Sequence, residues 1–511
     1  MNHPLLYELN TRCWLRELSE RTGKTITLAN VPESEFAGWR RCGFTHIWLM
    51  GLWQTGPRSR AQSLAQPATR RACRELLPDC TDHDIVGSPY AIADYQVSPA
   101  LGGEAGLMIF RKKLHAHGLK LILDFVPNHV GLDHRWVIEQ PDLFVQNSVH
   151  APGFFLQSTR QGARWLAHGK DPYFPPWADT AQLDYRNPAT HAAMIEQLKS
   201  VARRCDGVRC DMAMLLLNEV FAKTWAHLPS SEFGVPPSGG HHLEPPEGGT
   251  PNPAAEFWAD AISSIRQTHA DFLFLAEVYW DLETRLQSLG FDYTYDKRLY
   301  DFLISRQHAE VQRHLLGAAP EFVNASVHFL ENHDERRITS LLLLSEHHAA
   351  ALVTLGLPGM RLLHEGQLNG ATKRISVHLG RRPSETPQPE ISAFYEWLLK
   401  VLPSTSVGKG QSALLKPSPA WADNPSAQNF VIVQWQSAQP DFDLVVVNLA
   451  PHPSQCYAPL EVDGLAERNW QMTNLLGDEQ YQRNGEDLKR TGLYLDVPAY
   501  GAQLFHFQPI A

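Results

Sequence analysis

The stretch Asp206-Gly207-Val208-Arg209-Cys210-Asp211-Met212 decides how this chain is read. Its apolar residues have the character of a short buried strand. Side chains two apart on a strand share one face, so Arg209 and Asp211 project toward the same point. A carboxylate held against a fixed cation stays ionised at neutral pH, which is what a carboxylate nucleophile requires. Such pairs also occur as purely structural ion pairs. The meaning of this one therefore depends on the other carboxylates of the chain.

Seven more β-rich runs flank this one, at residues 5–9, 45–50, 119–126, 272–278, 291–295, 326–330 and 360–363. Amphipathic stretches lie between them. One spans residues 104–117, with Leu107, Ile109, Phe110 and Leu114 near helical spacing, and another spans 191–204. Strands alternating with helices imply parallel βαβ units, and eight such strands fit a closed barrel. The expected fold class is α/β, a (β/α)8 TIM barrel over residues 1–404. Three stretches interrupt the alternation. Residues 55–84 read as a long loop, 131–187 as a small domain inserted after the third strand, and 230–253, dense in Gly and Pro, as a further loop. All three leave the C-terminal ends of strands, the face where barrels build their active sites. After residue 404 the helical period gives way to short β runs at 430–435, 442–448, 493–497 and 503–507, so 405–511 read as an antiparallel β-sandwich domain.

The 511 residues carry a net charge of -10, which argues against nucleic acid as a partner. No run of 18 apolar residues appears, so no membrane span is expected. The first residues show neither a basic nor an apolar leader segment. The seven cysteines are odd in number and irregularly spaced, with no disulfide or zinc pattern. Reduced thiols and a cytoplasmic location are the simplest account. Aromatic residues crowd loop-like stretches such as Pro172-Tyr173-Phe174-Pro175-Pro176-Trp177. Aromatic faces on loops suit a flat hydroxylated ligand such as a sugar ring.

Four polar clusters fall at the ends of expected strands: Asp124 to His129, Arg209 with Asp211, Glu277 with Tyr279, and His333 with Asp334. A barrel gathers these ends on one rim. Cleaving a glycosidic bond with retention needs two carboxyl groups about 5 to 5.5 Å apart, one attacking and one protonating the leaving oxygen. Asp211 suits the attacking role. Glu277 follows an apolar run, and partial desolvation suits a general acid. Asp334 can accept hydrogen bonds from sugar hydroxyls, and His129 and His333 can donate them.

With these motifs in hand, the chain resembles the α-amylase superfamily of glycoside hydrolases over nearly its whole length. The family's motifs match Asp124, Asn128 and His129, then Arg209 and the nucleophile Asp211, the acid/base Glu277, and finally His333 with the transition-state acid Asp334. Tyr90 is similar to the family's aromatic platform, residues 180–188 to the motif ending the inserted domain, and 359–366 to the eighth-strand segment. The resemblance implies catalytic Asp211, Glu277 and Asp334, with Tyr90, His129, Arg209 and His333 binding substrate.

Departures from the family pattern bear on substrate and metal. Met214 and Leu215 stand where many members have Lys-His, and Gly87 where exo-acting α-glucosidases often have Asp. Gln182 replaces an Asp usually offered to calcium. No cofactor is implied, no metal-binding residues are assigned, and the pattern argues against a structural calcium. The expected activity is retaining cleavage of α-1,4-glucosidic bonds in α-glucans or maltooligosaccharides. Glucosyl or maltosyl transfer, including to phosphate, is the alternative within the family. A non-catalytic binding or scaffold protein and a metal-dependent hydrolase using His129, His333 and Asp334 are the alternatives outside it.

Overall fold

The structure is a computed structural model that describes residues 3–226, 256–437 and 440–510. Its centre is a closed barrel of eight parallel strands. They are β1 (Leu5–Asn10), β2 (His46–Met50), β3 (Lys120–Phe125), β4 (Gly207–Cys210), β5 (Leu273–Ala276), β6 (Tyr293–Tyr295), β7 (Ser326–His328) and β8 (Met360–His364). Each pairs with its neighbours in sequence order, and β8 closes on β1 with Leu6 opposite Leu362. All eight expected strands are present, and the four polar clusters of the sequence reading sit at or past the C-terminal ends of β3, β4, β5 and β7.

Four of these strands, β2, β4, β7 and β8, are buried along their whole length, as both faces of a barrel wall must be. Leu6, Trp48, Met50, Ile122, Leu275, Tyr295, Val327, Met360 and Leu362 fill the interior. Gly207 opens β4 because the wall is tight there: a Cβ would come within 2.7 Å of the Leu273 carbonyl oxygen and of Ile122. The helix Pro188–Ala202 precedes β4; Pro188 sits in its first turn and the Asn187 side chain accepts from the Ala189 amide.

Among the described residues, two of the expected interruptions of the barrel can be followed. The sequence places a loop at 55–84, but two helices form there, Pro57–Ala65 and Pro67–Leu76, each with a proline in its first turn. Past β3 the chain forms an antiparallel ribbon, His129–Gly131 with Thr180–Gln182, and a three-stranded sheet from Gln146–Asn147, Phe154–Thr159 and Gly162–Ala167. The loop expected at 230–253 lies outside the described residues.

The C-terminal part holds a six-stranded and a three-stranded antiparallel sheet. In strand Phe430–Gln436, Phe430 and Ile432 face the core between those sheets, while Val431, Val433 and Trp435 join the barrel's core. The Trp435 indole N–H donates to the Gly356 carbonyl at 2.8 Å, tying this sheet to the helix before β8. Among the described residues no helix is long and apolar enough to cross a membrane.

Candidate active site

Five of the seven site residues expected from sequence line one cavity of about 550 Å³ at the barrel's C-terminal face: Tyr90, His129, Asp211, Glu277 and Asp334. Arg209 and His333 lie beneath it. Arg209 is wholly buried and His333 nearly so. Both contact the acids that line the cavity.

Arg209 organises the floor. Its Nη1 donates to Asp211 Oδ1 at 2.7 Å and its Nη2 to Glu277 Oε2 at 2.7 Å. Asp124 Oδ1 stands 3.6 Å from the same guanidinium and is held by the Trp48 indole N–H at 3.2 Å. The rings of Trp48 and Tyr90 flank the cation at 5.3 and 5.4 Å. Period-two alternation on β4 does put Arg209 and Asp211 on one side, but the guanidinium serves Glu277 equally.

Sharing one cation among three buried acids changes their titration. Burial pushes Asp211 and Glu277 above the ordinary carboxylate range, with Arg209 pulling the other way. Burial likewise lifts Asp124 to about 7. The cation that the sequence pairs with Asp211 is shared with Glu277 and Asp124, and desolvation outweighs its pull, so the carboxyl lies above the ordinary range rather than below it.

Glu277 is the most heavily bonded of the acids. Besides Arg209, it accepts from the Met212 amide at 2.7 Å and from the Tyr279 hydroxyl at 2.8 Å. Met212 follows Asp211 directly and has a left-handed backbone, φ 44°. That conformation is uncommon for a side chain of this size, and past it the Ala213 amide donates to the Glu277 carbonyl at 3.0 Å.

Asp334 sits on the open side, its side chain 44 % exposed. Against the opposing effect of burial, His333 holds its carboxyl down at about 2. His333 Nε2 lies 2.9 Å from Asp334 Oδ2 and 2.7 Å from the Tyr90 hydroxyl, with the two rings stacked at 5.6 Å. His129 is different. Burial lowers it to about 4, so it is neutral, and the Asn128 amide donates to its Nδ1 at 3.3 Å. The ring proton therefore sits on Nε2. Trp177 packs against it with centroids 5.1 Å apart.

The residues that would hold calcium in this resemblance do not fit a hard cation. The Gln182 amide donates to Asn128 Oδ1 at 3.0 Å and to the Asn128 carbonyl at 2.9 Å, and it accepts from Asn128 Nδ2 at 3.3 Å. The two amides satisfy each other and present no carboxylate. Among the described residues no cluster of three His, Cys, Asp or Glu side chains forms a metal site. His129, His333 and Asp334 do not form one either, because His333 is engaged by carboxylates at both nitrogens.

Sequence reasoning missed Glu8, Gln66, Asp179 and His378. The last three line the cavity from the helical excursion after β2, the inserted segment and the loop after β8. Burial pushes Asp179 up to about 6. Only Glu8 left a trace, as a lone acid in an otherwise apolar strand.

The model of the alpha-amylase catalytic domain matches residues 41–392. The chain belongs to the alpha-amylase family. Among curated relatives it is 22% identical over 384 residues to "Alpha-amylase MalA" of Haloarcula japonica, covering 73% of this chain and 50% of that protein. It is 20% identical over 304 residues to "Alpha-amylase 3" of Dictyoglomus thermophilum, covering 54% of this chain and 53% of that protein. The chain thus spans about half the length of the curated relatives it matches. Its fold is like that of the noncanonic maltogenic alpha-amylase AmyB from Thermotoga neapolitana, with a TM-score of 0.64 at 18% identity, covering 99% of this chain and 98% of that one. This alpha-amylase family member keeps the barrel and places its acids in one cavity, while its inserted segment is fastened by paired amides.

Proposed function

We propose that the chain is a retaining glycosidase that cleaves α-1,4-glucosidic bonds of α-glucans or maltooligosaccharides. The observation that carries this reading is the single buried guanidinium holding Asp211 and Glu277 at 2.7 Å each, in the cavity that Asp334 also lines. Two carboxyls on one cation stay close together, as a nucleophile and an acid acting on one bond must.

In the proposed cycle Glu277 protonates the leaving oxygen while Asp211 forms a covalent glycosyl-enzyme. Glu277 then deprotonates the incoming water. The roles follow the motif matches. Arg209 and the Met212 amide both hold Glu277 Oε2, and the Tyr279 hydroxyl holds Oε1; the glycosidic oxygen takes the place of Tyr279 there as it receives the acid's proton. Asp334, ionised far into the acid range, grips sugar hydroxyls as positive charge builds on the ring. Tyr90 offers its ring face, and His129 lines the cavity beside it. Gly87 supports an open cleft: its φ is 89°, and a Cβ would press on the Arg60 Cα at 3.2 Å, so an acid at this position would be strained.

The test is product analysis on maltose through maltoheptaose, with and without phosphate. Mixed short products whose new ends are first α are expected. Products longer than the substrate point to transfer, and a sugar phosphate formed only with phosphate points to phosphorolysis. The pH profile of kcat/KM should be a bell shifted to higher pH than free carboxyls would give. Activity is lost below the raised range of Asp211, where the nucleophile is protonated, and above that of Glu277, where the acid is lost.

A further inference from the structure

Glu8 lies on β1 two residues beyond Leu6, on the strand face that lines the barrel interior, and it is wholly buried. A carboxyl in that position needs a reason, because burying an acid is costly unless it is paired. Its Oε1 lies 2.5 Å from His333 Nδ1, and its Oε2 has no hydrogen-bond partner. The other ring nitrogen of His333 faces Asp334 Oδ2 at 2.9 Å and the Tyr90 hydroxyl at 2.7 Å. A neutral imidazole carries one N–H and cannot donate to carboxylates at both ends; an imidazolium can.

We propose that Glu8 is a positioning residue that holds His333 as an imidazolium and, through it, fixes the Asp334 carboxylate and the Tyr90 hydroxyl toward the sugar. The proposal rests on the glycosidase reading above and adds a residue from β1 to it. The line Glu8–His333–Asp334 runs from the barrel's interior to the cavity's open side. A cation in its middle keeps the outermost acid ionised and aimed without any solvent contact of its own.

The surroundings agree. Burial opposes charge on His333, and Asp334 and Glu8 overcome it, leaving the ring well above its ordinary pKa. The groups facing the ring are Glu8 from β1, Asp124 from β3, Asp211 past β4, and Tyr90 and Asp334 from the rim. Tyr295 of β6 and His364 of β8 face Glu8. Burial keeps His364 neutral, so it does not compete for the carboxylate.

The variant Glu8→Gln keeps the shape and removes the charge. Its kcat should fall about 10²-fold with KM changed less than about threefold, since Asp334 acts on the transition state. The basic limb of its kcat/KM profile should move down by about one pH unit or more, because His333 then gives up its proton earlier. Glu8→Asp, which keeps the carboxylate, should recover part of the loss. A second measurement needs no turnover: nitrogen chemical shifts of the His333 ring, identified by their loss in His333→Gln. The ring should be doubly protonated at pH 7.5 in the wild type and titrate below that in Glu8→Gln. If the wild type turns over no glucan, the glycosidase reading fails and these shifts decide the Glu8–His333 link alone. A neutral His333 ring in the wild type overturns the proposal. So does a Glu8→Gln protein with wild-type kcat and pH profile, or one that loses activity with His333 unchanged.

Discussion

Asp211→Asn is expected to lower kcat by about 10⁴-fold or more while leaving the fold in place. The amide has nearly the carboxylate's shape, so Arg209 keeps one hydrogen-bond partner at the same point. In the proposed cycle, what disappears is the nucleophile, and with it the covalent intermediate. The residual rate should be that of a site which still binds and orients sugar. Turnover on maltoheptaose, alongside circular dichroism and thermal unfolding of the same preparation, checks both halves. Wild-type turnover would remove Asp211 from the role. Unfolding of the variant would show instead that its charge is structural.

Arg209→Met should be the most destabilising single change at the site, costing on the order of 3–5 kcal/mol. The substitution fills much of the volume but leaves Asp211, Glu277 and Asp124 buried without their shared cation. The aromatic sandwich of Trp48 and Tyr90 loses its charge as well. The deficit should depend on pH. The folded-state carboxyls are already raised, Asp124 to about 7, and losing the guanidinium raises them further. A folded state that holds protons the unfolded state has released loses stability as pH rises. The variant's shortfall in urea unfolding should therefore be larger at pH 8 than at pH 5. An equal shortfall at both values would mean the loss is one of packing rather than charge.

These two outcomes turn on a feature the sequence half disclosed. Strand periodicity is a local property, so the shared face of Arg209 and Asp211 could be read from their spacing alone. The bond from Arg209 to Glu277 spans 68 positions and depends on β4 lying beside β5, which no local pattern encodes. The barrel strands were legible because a wall buried on both faces is written as continuous apolar runs. The helices at Pro57–Ala65 and Pro67–Leu76 were not, because their buried side is nearly featureless: Ser59 and Ser63 in the first, Cys73 in the second. The first shows almost no 3.6-residue period; in the second Ala68, Ala72, Cys73 and Leu76 do fall at helical spacing, a signal that small side chains keep faint. The prolines opening each were the available signal. In the C-terminal part the longest buried strands stood out, whereas Gln480–Asn484, mostly exposed, did not. The cavity-lining Gln66, Asp179 and His378 come from three excursions, and only the folded barrel brings such distant loops together.

The left-handed turn at Met212 has a consequence for any effort to harden this protein against heat. Glycine adopts that backbone freely, so Met212→Gly relieves a local penalty of about 1 kcal/mol, set against a looser unfolded chain and the lost packing of the Met212 side chain. Where relief outweighs those losses, selection on thermal endurance alone would favour the exchange. Yet the awkward turn sits between the two amides that bond Glu277, Met212 to its carboxylate and Ala213 to its carbonyl, and a looser chain there would present them less faithfully. The position sets durability against speed, and lineages chosen for the first should drift away from the second.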